Sequence, residues 1–250
     1  MASSPGSLLP LPPAVAKLLD AEPLTGCWLP PAFEAGLVSI VVPTFNTGDL
    51  IGETLASLLA QTCDRMEVIV VDDGSTDNTQ EVLAAWQERF RTDGRFELRG
   101  VRQANHGTNS ARNLGARASR GEFVGFFDSD DLMAVDRLAA QVRVFNERRP
   151  DVVHGPVARF YRARTGYHLV RTKSFNRLGR PAFRAWLRGS PLLLPMCLMS
   201  RGFWTASGLS MSGWWAARSA PSTWPDCWAP DHRWSSARAA QYSTGGICGP

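Results

Sequence analysis

The stretch "VVDDGSTD", residues 70–77, places two adjacent carboxylates, Asp72 and Asp73, at the end of an apolar run. The run itself, "MEVIVV" at 66–71, is rich in β-branched residues, as expected of a strand covered on both faces. Gly74 and the hydroxyl and acidic residues after it are typical of a turn that leads into a helix, with Thr76 or Asp77 as its N-cap. The stretch therefore predicts a buried strand, a corner that carries carboxylates, and a helix.

The same order repeats on both sides of this stretch. "LVSIVV" (37–42) predicts a first strand that ends at Pro43, because proline cannot donate to the ladder. "RFELRGV" (95–101) and "GEFVGFF" (121–127) predict two more strands, and helical patterns lie between them, the first with Asp49 as its N-cap. This alternation predicts the α/β class: a doubly wound, Rossmann-like, mostly parallel sheet with flanking helices.

Composition narrows the class of protein. The 250 residues are 44 % hydrophobic, enough for a packed core, and the net charge of +4 is too small to indicate nucleic acid. Five scattered cysteines without metal-ligand spacing argue against a disulfide framework or a zinc site. Because no apolar run reaches about 18 residues and the N-terminus lacks early positive charge, we expect a cytoplasmic protein without a signal peptide. The sequence leaves open whether the protein also contacts the inner face of the membrane.

Composition and hydrophobic periodicity divide the chain into three segments. Residues 1–36 are proline-rich and predict an N-terminal arm with one short helix near 14–19. Residues 37–208 hold the alternating strand and helix patterns and predict one α/β domain. Residues 209–250 show neither helical nor strand periodicity and predict an irregular, poorly ordered tail.

Polar clusters follow three of the predicted strands: "PTFN" (43–46), "DDGSTD" (72–77) and "DSDD" (128–131). In open parallel sheets ligands bind beyond the carboxyl ends of the strands, so the three clusters should meet in one crevice. Clustered carboxylates repel one another unless a cation or hydrogen-bond donors stand between them. A short Asp-x-Asp arrangement of hard oxygen ligands suits Mg²⁺ or Mn²⁺, which can hold a diphosphate. The alternative is a solvated strand end in which Asp131 caps the next helix.

Single residues suggest individual roles. Asp73 could accept the imide N–H of a uracil, and Asp72 could equally be that contact. Thr44 and Asn46 could line a base, or serve only in turns. Arg112, near a helix start in "NHGTNSARNLG" (105–115), could reach a diphosphate, pack over a base or lie at the surface. Neither a GxGxxG nor a P-loop motif is present.

Residues 37 to about 208 resemble the family-2 glycosyltransferases of the GT-A fold. The resemblance rests on "VSIVVPTFN" (38–46), "LASLLAQTCDRMEVIVVDDGSTDNT" (55–79), "NHGTNSARNLGARASRGEFVGFFDSDD" (105–131) and "DRLAAQVRVF" (136–145). It implies an inverting transfer of a sugar from a nucleoside-diphosphate sugar, with a UDP-sugar favoured, to an acceptor hydroxyl. It also implies an Mn²⁺ or Mg²⁺ ion near Asp130 and Asp131, acting as a Lewis acid. The implied donor-site residues are Pro43, Thr44, Asn46, Asp72, Asp73, Arg112, Asp128 and Ser129.

The acceptor is not specified by any motif. Residues 155–190 hold nine Arg or Lys, no Asp or Glu, and interleaved aromatic residues. Such a segment could receive an anionic or lipid-linked acceptor, or be only a solvated basic face. A glycan, a lipid-linked sugar and a protein all remain possible acceptors.

The last part of the chain departs from the family pattern. Members of the family carry an acidic residue there, which deprotonates the acceptor. The last sixty residues of this chain contain only Asp226 and Asp231, and six of the nine tryptophans. The catalytic base is therefore unknown. Besides an enzyme, the pattern allows an inactive nucleotide-sugar-binding remnant, and more remotely a nucleotidyl- or phosphotransferase or a response-regulator-like phosphoacceptor.

The tryptophan-rich tail predicts a frame-shifted translation that begins near Leu209 or Ser210. Tryptophan has the single codon TGG. If the reading frame starts one base earlier, each TGG contributes to a codon NTG, which encodes Leu, Met or Val. With G/C-rich codons, the shift lets "LSMSGWW" (209–215) hide "EHERLV", an acidic stretch of the missing kind. Sequencing the gene tests this hypothesis, and stop codons in the alternative frame over this region would refute it.

Overall fold

Strands and helices alternate from residue 34 to residue 126 in the predicted order, and a short strand and a helix follow. The computed structural model describes residues 33–163, 166–173, 194–207, 234–236 and 241–244. The alternating elements are β1 (Glu34–Thr44), α1 (Ile51–Leu59), β2 (Met66–Asp72), α2 (Thr79–Asp93), β3 (Glu97–Arg102), α3 (Thr108–Ala118), β4 (Gly121–Phe126), β5 (Leu132–Met133) and α4 (Arg137–Arg148).

The later described elements are mostly short strands. They are β6 (Val152–His154), β7 (Val157–Ala163), β8 (Gly166–Lys173), a 3₁₀ turn (Leu194–Met196), β9 (Cys197–Ser200), α5 (Arg201–Ser207), β10 (Trp234–Ser236) and β11 (Gln241–Thr244).

β1 lies inside a seven-stranded sheet with the order β10-β6-β9-β4-β1-β2-β3. The pairs β1/β2, β1/β4, β2/β3 and β6/β10 are parallel, and only β9 runs antiparallel to its neighbours β4 and β6. A second sheet has the order β5-β11-β7-β8. The prediction of a mixed α/β fold with a mostly parallel sheet is confirmed.

Two cores cover the two faces of the main sheet. Ile40 and Val42 of β1 pack in one core with Leu55 and Leu58 of α1. Val41, between them in sequence, packs in the other core with residues of α3. Successive side chains of a strand point to opposite faces, so a strand buried on both faces needs an uninterrupted apolar run. This requirement explains why β1 and β2 read as continuous runs.

Pro43 does not end β1, contrary to our expectation. The strand continues to Thr44, with Pro43 level with Val71 and Thr44 level with Asp72 of β2. The Val41 carbonyl accepts from the Phe127 N–H, so the backbone polar groups of Val41 point towards β4. The backbone nitrogen of Pro43, two residues further along the strand, points to the same side. Pairing with β4 ends at Val41, and therefore the missing N–H of Pro43 costs no ladder bond.

The predicted helix caps are also wrong in detail. The N-cap of α1 is Leu50 rather than Asp49, and that of α2 is Asn78 rather than Thr76 or Asp77. Neither cap residue makes a side-chain hydrogen bond to its helix. α4 has Asp136 as its N-cap, so Asp131 does not cap that helix.

The segments at both ends are described only in part. β1 begins at Glu34, inside the segment assigned to the N-terminal arm. Within the tail, where we expected no regular structure, β10 pairs with β6, and β11 pairs with β5 and β7. The rest of both segments, including the helix expected near 14–19, lies outside the described residues. The boundaries at 37 and 208 stay predictions.

Close packing of α3 on the sheet should make Gly115 hard to replace. A Cβ at Gly115 would lie 2.3 Å from Cγ1 of the fully buried Val41. We expect Gly115→Ala to lower the free energy of unfolding by about 1–3 kcal/mol through overpacking, despite the better helix propensity of alanine. Urea unfolding monitored by circular dichroism measures the change.

The matched control is Gly202→Ala in α5, where a Cβ would meet no atom within 4 Å. This variant should lose no stability. Equal effects of the two substitutions would show that α3 does not pack on β1 as described.

Candidate functional site

The carboxyl ends of β1, β2 and β3 are level and joined by backbone hydrogen bonds. The Asp73 N–H donates to the Thr44 carbonyl at 2.9 Å, and the Gln103 N–H donates to the Asp72 carbonyl at 2.9 Å. The Asp128–Asp131 segment follows β4, on the other side of β1. The predicted polar corners therefore lie along one edge of the sheet.

The corners after β1 and β2 are linked by side chains of both loops. The Asn46 N–H donates to the Ser75 hydroxyl at 2.9 Å, and the Thr76 N–H donates to the Asn46 side-chain oxygen at 2.8 Å. Asn46 has a φ of +52°, a left-handed conformation that asparagine tolerates better than most residues. Asn46 thus holds the first corner against the second.

Asp77 lies one residue before the N-cap of α2, yet its carboxylate binds the first N–H of that helix and also ties the two loops together. Its carboxylate accepts from the Gly48 N–H at 3.0 Å, from the Thr79 N–H at 3.0 Å and from the Thr79 hydroxyl. Desolvation raises the pKa of Asp77, but these hydrogen bonds outweigh it and hold the pKa below the ordinary value of 3.8. The carboxylate is therefore ionised at neutral pH.

Asp72 closes the turn that follows β2. Its side chain is fully buried. One oxygen accepts from the Ser75 N–H at 2.9 Å, and the other accepts from the Gln80 amide and lies 3.5 Å from Nε of Arg102. These partners supply the hydrogen bonds and the positive charge that a carboxylate without contact to solvent requires.

Asp73 holds the loop between β3 and α3. Its Oδ1 accepts from the Gln103 side-chain amide at 2.6 Å and from the His106 N–H at 2.9 Å, and its Oδ2 accepts from the Gly107 N–H at 2.8 Å. A carboxylate offers about four acceptor positions, so one position on Oδ2 remains. Asp73 is 3 % exposed. His106 thus contributes its backbone N–H to this loop.

Arg112 is not a surface arginine. Its guanidinium donates to Oδ1 of Asp128 at 2.7 Å, and the side chains of Arg112 and Asp128 are 17 % and 37 % exposed. The Nε atom of Arg112 is buried without a hydrogen-bond partner. The pair joins α3 to the segment after β4, and it leaves a partly exposed cation beside a partly exposed carboxylate.

The four residues of the "DSDD" segment differ in exposure. Ser129 and Asp131 are buried, and the charge of Asp131 interacts with that of the buried Arg137. Asp130 is half-buried, and its pKa is raised by desolvation and by the charge of Asp128. Two carboxylates that repel each other at a partly exposed edge fit one divalent cation, which would relieve that repulsion.

A site with three protein carboxylates does not form here. Within the described ranges, no group of three or more His, Cys, Asp or Glu residues could hold a metal ion. The residues present fit a cation that takes its remaining ligands from phosphate and water, as Mg²⁺ commonly does. The assignment of Asp131 to the metal stays a prediction, and its burial makes Asp128 the better partner for Asp130.

Sequence reasoning missed two contributors to this edge. Phe45 lies between Thr44 and Asn46 and is 45 % exposed, whereas Thr44 is 3 % exposed. Gln103 contacts the carboxylate of Asp73 from the next strand. An aromatic residue directly after a buried strand was the available signal for Phe45. No local signal pointed to Gln103.

Other predicted features lie partly or wholly outside the described residues. Of the aromatic residues in the basic segment 155–190, Phe160 is 5 % exposed and thus buried. Asp226 and Asp231, the default candidates for the base, are not described. Among the described helices none is both long and apolar enough to span a bilayer.

A cleft of about 580 Å³ lies at the opposite, amino-terminal edge of the sheet. Several of its charged residues form ion pairs: Glu67 binds Arg120 at 3.1 Å and also Arg99, outside the cleft, at 2.7 Å, and Glu34 binds Arg65 at 2.8 Å. Because these charges already have partners, we place the functional site at the carboxyl edge instead.

A family model described as "Glycosyl transferase family 2" matches residues 39–202. The uncharacterized glycosyltransferase EpsJ of Bacillus subtilis is 43 % identical over 98 residues, which are 39 % of this chain and 27 % of EpsJ. The glycosyltransferase GlyG of Streptococcus pneumoniae is 37 % identical over 120 residues, 48 % of this chain and 38 % of GlyG. The chain thus spans well under half the length of these curated relatives.

Two solved structures share the fold. S. aureus TarS 1-349 in complex with UDP-GlcNAc matches with a TM-score of 0.59 and 22 % identity, over 85 % of this chain and 59 % of that one. The Pyrobaculum calidifontis mannosyltransferase PcManGT, in complex with GDP-Man and Mn²⁺, matches with a TM-score of 0.59 and 20 % identity, over 94 % and 64 %. The predicted GT-A fold is confirmed.

The hydrogen bonds to Asp73 predict that its carboxylate stabilises the loop after β3. In Asp73→Asn one oxygen is replaced by an NH₂ group, which cannot accept from the backbone N–H groups of His106 and Gly107. We expect the free energy of unfolding to fall by about 1.5–3 kcal/mol, because charge-assisted hydrogen bonds to these part-buried N–H groups are lost. Urea unfolding measures the loss, and hydrogen exchange at His106 and Gly107 locates it.

Asp93→Asn is the control, since Asp93 forms only a partly exposed pair with Arg95. Its unfolding midpoint should not change. Unaltered exchange at residues 106 and 107 in Asp73→Asn would contradict the assigned contacts.

Proposed function

The chain belongs to glycosyl transferase family 2, and from this membership we propose that it transfers a sugar from a nucleoside-diphosphate sugar to an acceptor hydroxyl with inversion at the anomeric carbon. The observation that carries the proposal is the edge at which loops from β1, β2, β3 and β4 meet. Asn46 and Asp77 join the first two loops, Asp73 joins the second to the third, and the Arg112–Asp128 pair joins α3 to the fourth.

We assign the base of the donor to the Asp73 end of this edge. The free position on Oδ2 of Asp73 can accept an imide N–H, which favours a uracil base and hence a UDP-sugar. The exposed ring of Phe45 offers a flat surface on which a base can stack. Asp72 remains the alternative contact, although it is fully buried. Pro43, Thr44 and Asn46 shape the wall beside the ring.

We assign the diphosphate to the other end of the edge. Arg112 supplies a fixed cation next to Asp128, and its planar guanidinium suits a phosphate group. Asp128 and Asp130 would hold an Mn²⁺ or Mg²⁺ ion. When bound, such an ion offsets the negative charge that develops on a departing diphosphate. The backbone of Ser129 and the buried Asp131 support the two ligands.

The transfer itself needs a base on the far side of the sugar. Inversion requires the acceptor oxygen to lose its proton and attack the anomeric carbon opposite the bond to the diphosphate. The new carbon–oxygen bond forms as the bond to the diphosphate breaks. Asp226 and Asp231 are the acidic candidates in the last sixty residues, and we assign this role to neither. The acceptor, cytoplasmic location and contact with the inner membrane face remain predictions.

A second candidate function is nucleotide-sugar binding without transfer. It is favoured by one observation, the scarcity of acidic residues in the last sixty positions, where the family carries its base. Loss of a general base typically lowers a rate by about 10²–10⁴. A protein with an intact donor edge and no base would bind the donor and leave it unreacted.

Binding of nucleotides with and without a metal tests the donor site. Titration calorimetry with UDP-, GDP- and dTDP-sugars should show binding of one of them that is strengthened by Mn²⁺. We expect Asp130→Ala to weaken the Mn²⁺-dependent part by at least about tenfold, since even outer-shell partners of a metal typically contribute 10–100-fold. Asp73→Ala should weaken binding with and without Mn²⁺.

Asp93→Ala, far from the edge in an exposed pair, serves as the control. Unchanged affinity in both Asp130→Ala and Asp73→Ala would refute the site assignment. Release of the nucleoside diphosphate from the bound donor then separates the two functions, because a binding remnant retains the donor without turnover.

A further inference from the structure

We infer that Thr54, Ser57 and Gln61 are positioning residues that fix the backbone of residues 129–138 and thereby place the Asp128–Asp131 segment for the metal–diphosphate end of the donor. This inference rests on the proposed function. The three residues, which we call the α1 polar row, lie on α1 (Thr54 and Ser57) or two residues past its end (Gln61), and they contact main-chain atoms after β4. Their effect on the ligand would therefore pass through the position of the backbone.

The α1 polar row binds four backbone groups between residues 129 and 138. The Thr54 hydroxyl donates to the Ser129 carbonyl at 2.8 Å, and the Met133 N–H donates to the Ser57 hydroxyl at 3.0 Å. The Gln61 side chain donates to the Ala134 carbonyl at 2.8 Å and accepts from the Leu138 N–H at 3.3 Å. Residues 129–138 are thus attached at four points to α1 and to the turn that follows it, and Ser129 is the attachment within the Asp128–Asp131 segment.

These polar side chains are placed where apolar ones would be expected. Ile51, Leu55 and Leu58 form the buried face of α1, yet Thr54 and Gln61 are equally inaccessible at 0 % exposure. A buried polar group costs free energy unless it is hydrogen-bonded, and an apolar residue would fill the same space without that requirement. The polar row is therefore explained by the backbone groups that it satisfies.

A second helix holds the same segment from its other end. Arg137, 1 % exposed at the start of α4, interacts with the charge of Asp131 and donates to the Gln141 side chain at 3.2 Å. Gln141 in turn donates to the carbonyls of Val153 and Met196 at 3.2 and 3.1 Å. The carboxylate segment is consequently fixed between α1 and α4.

The position of α1 links the two ends of the proposed donor. α1 begins directly after the corner that carries Phe45 and Asn46, with Leu50 and Ile51 N–H groups donating to the Thr47 carbonyl at 2.9 Å. One turn further along, Thr54 reaches Ser129, between Asp128 and Asp130. α1 therefore fixes the separation between the base end and the metal end, which must match the length of a nucleoside diphosphate.

The experiment compares Thr54→Val, Thr54→Ser and Ser39→Ala in the full chain. Valine has the shape of threonine without the hydroxyl, whereas serine keeps the donor to Ser129. Ser39 is the matched control, because it is also fully buried and its hydroxyl donates to Glu67 at 2.6 Å, but at the opposite edge of the sheet. Affinities for UDP, GDP and dTDP are measured by calorimetry with and without Mn²⁺, and thermal unfolding confirms that each variant is folded.

We expect Thr54→Val to weaken the Mn²⁺-dependent affinity by about 10–100-fold, as for other residues that orient metal ligands. The nucleotide affinity of Thr54→Val without metal should change much less. Thr54→Ser should have the Mn²⁺-dependent affinity of the parent. Ser39→Ala should lower the melting temperature without changing the affinity. Ser57→Ala is the second variant if Thr54→Val does not fold, with the same expected loss.

Two results would overturn the inference: parental affinity in a folded Thr54→Val, or an equal loss of affinity in Ser39→Ala. Failure of the proposed donor site gives a different result, because the parent chain itself would then bind none of the three nucleotides, and the inference would fall with it.

Discussion

Carboxylates buried at the ends of strands are the constraint on which the rest of this structure depends. Asp73 accepts from Gln103, His106 and Gly107 while its own N–H donates to Thr44, so one residue connects three consecutive strands. A buried carboxylate is stable only with such donors, and the loops that supply them lose their freedom to move independently. The edge is therefore organised before any ligand arrives.

The two edges of the sheet solve the problem of buried charge in different ways. At the amino-terminal edge, the buried carboxylate of Glu67 forms ion pairs with Arg99 and Arg120. At the carboxyl edge, Asp128 and Asp130 are partly exposed, Arg112 pairs with Asp128, and burial together with the charge of Asp128 raises the pKa of Asp130. Partly exposed carboxylates that repel each other are suited to binding a cation, whereas a buried carboxylate with two cationic partners is already satisfied.

The Asp128–Asp131 segment is held in place by contacts from more than one helix. The Asp128–Asp131 segment has little regular structure of its own, so its backbone groups need partners from outside. α1 supplies one through Thr54, Gln61 just past α1 binds the chain a few residues further on, and α4 adds Arg137 beside Asp131. These contacts place polar atoms in a core that could have been wholly apolar. A site that must hold two like charges close together gains from such support, because a small displacement of either carboxylate changes their repulsion.

The sequence by itself determined the order of strands and helices through the strand that ends at Phe126, the class of the sheet, and the three clusters at its carboxyl edge. It could do so because burial on two faces imposes a local apolar run, and a strand end imposes a local polar one. Only the tertiary structure decided that β1 passes through Pro43, that Arg112 pairs with Asp128 sixteen residues away, and that Asp131 is buried while Phe45 is exposed. These outcomes depend on which loops and helices meet in space, and the partners of a side chain leave no periodic trace in the sequence around it.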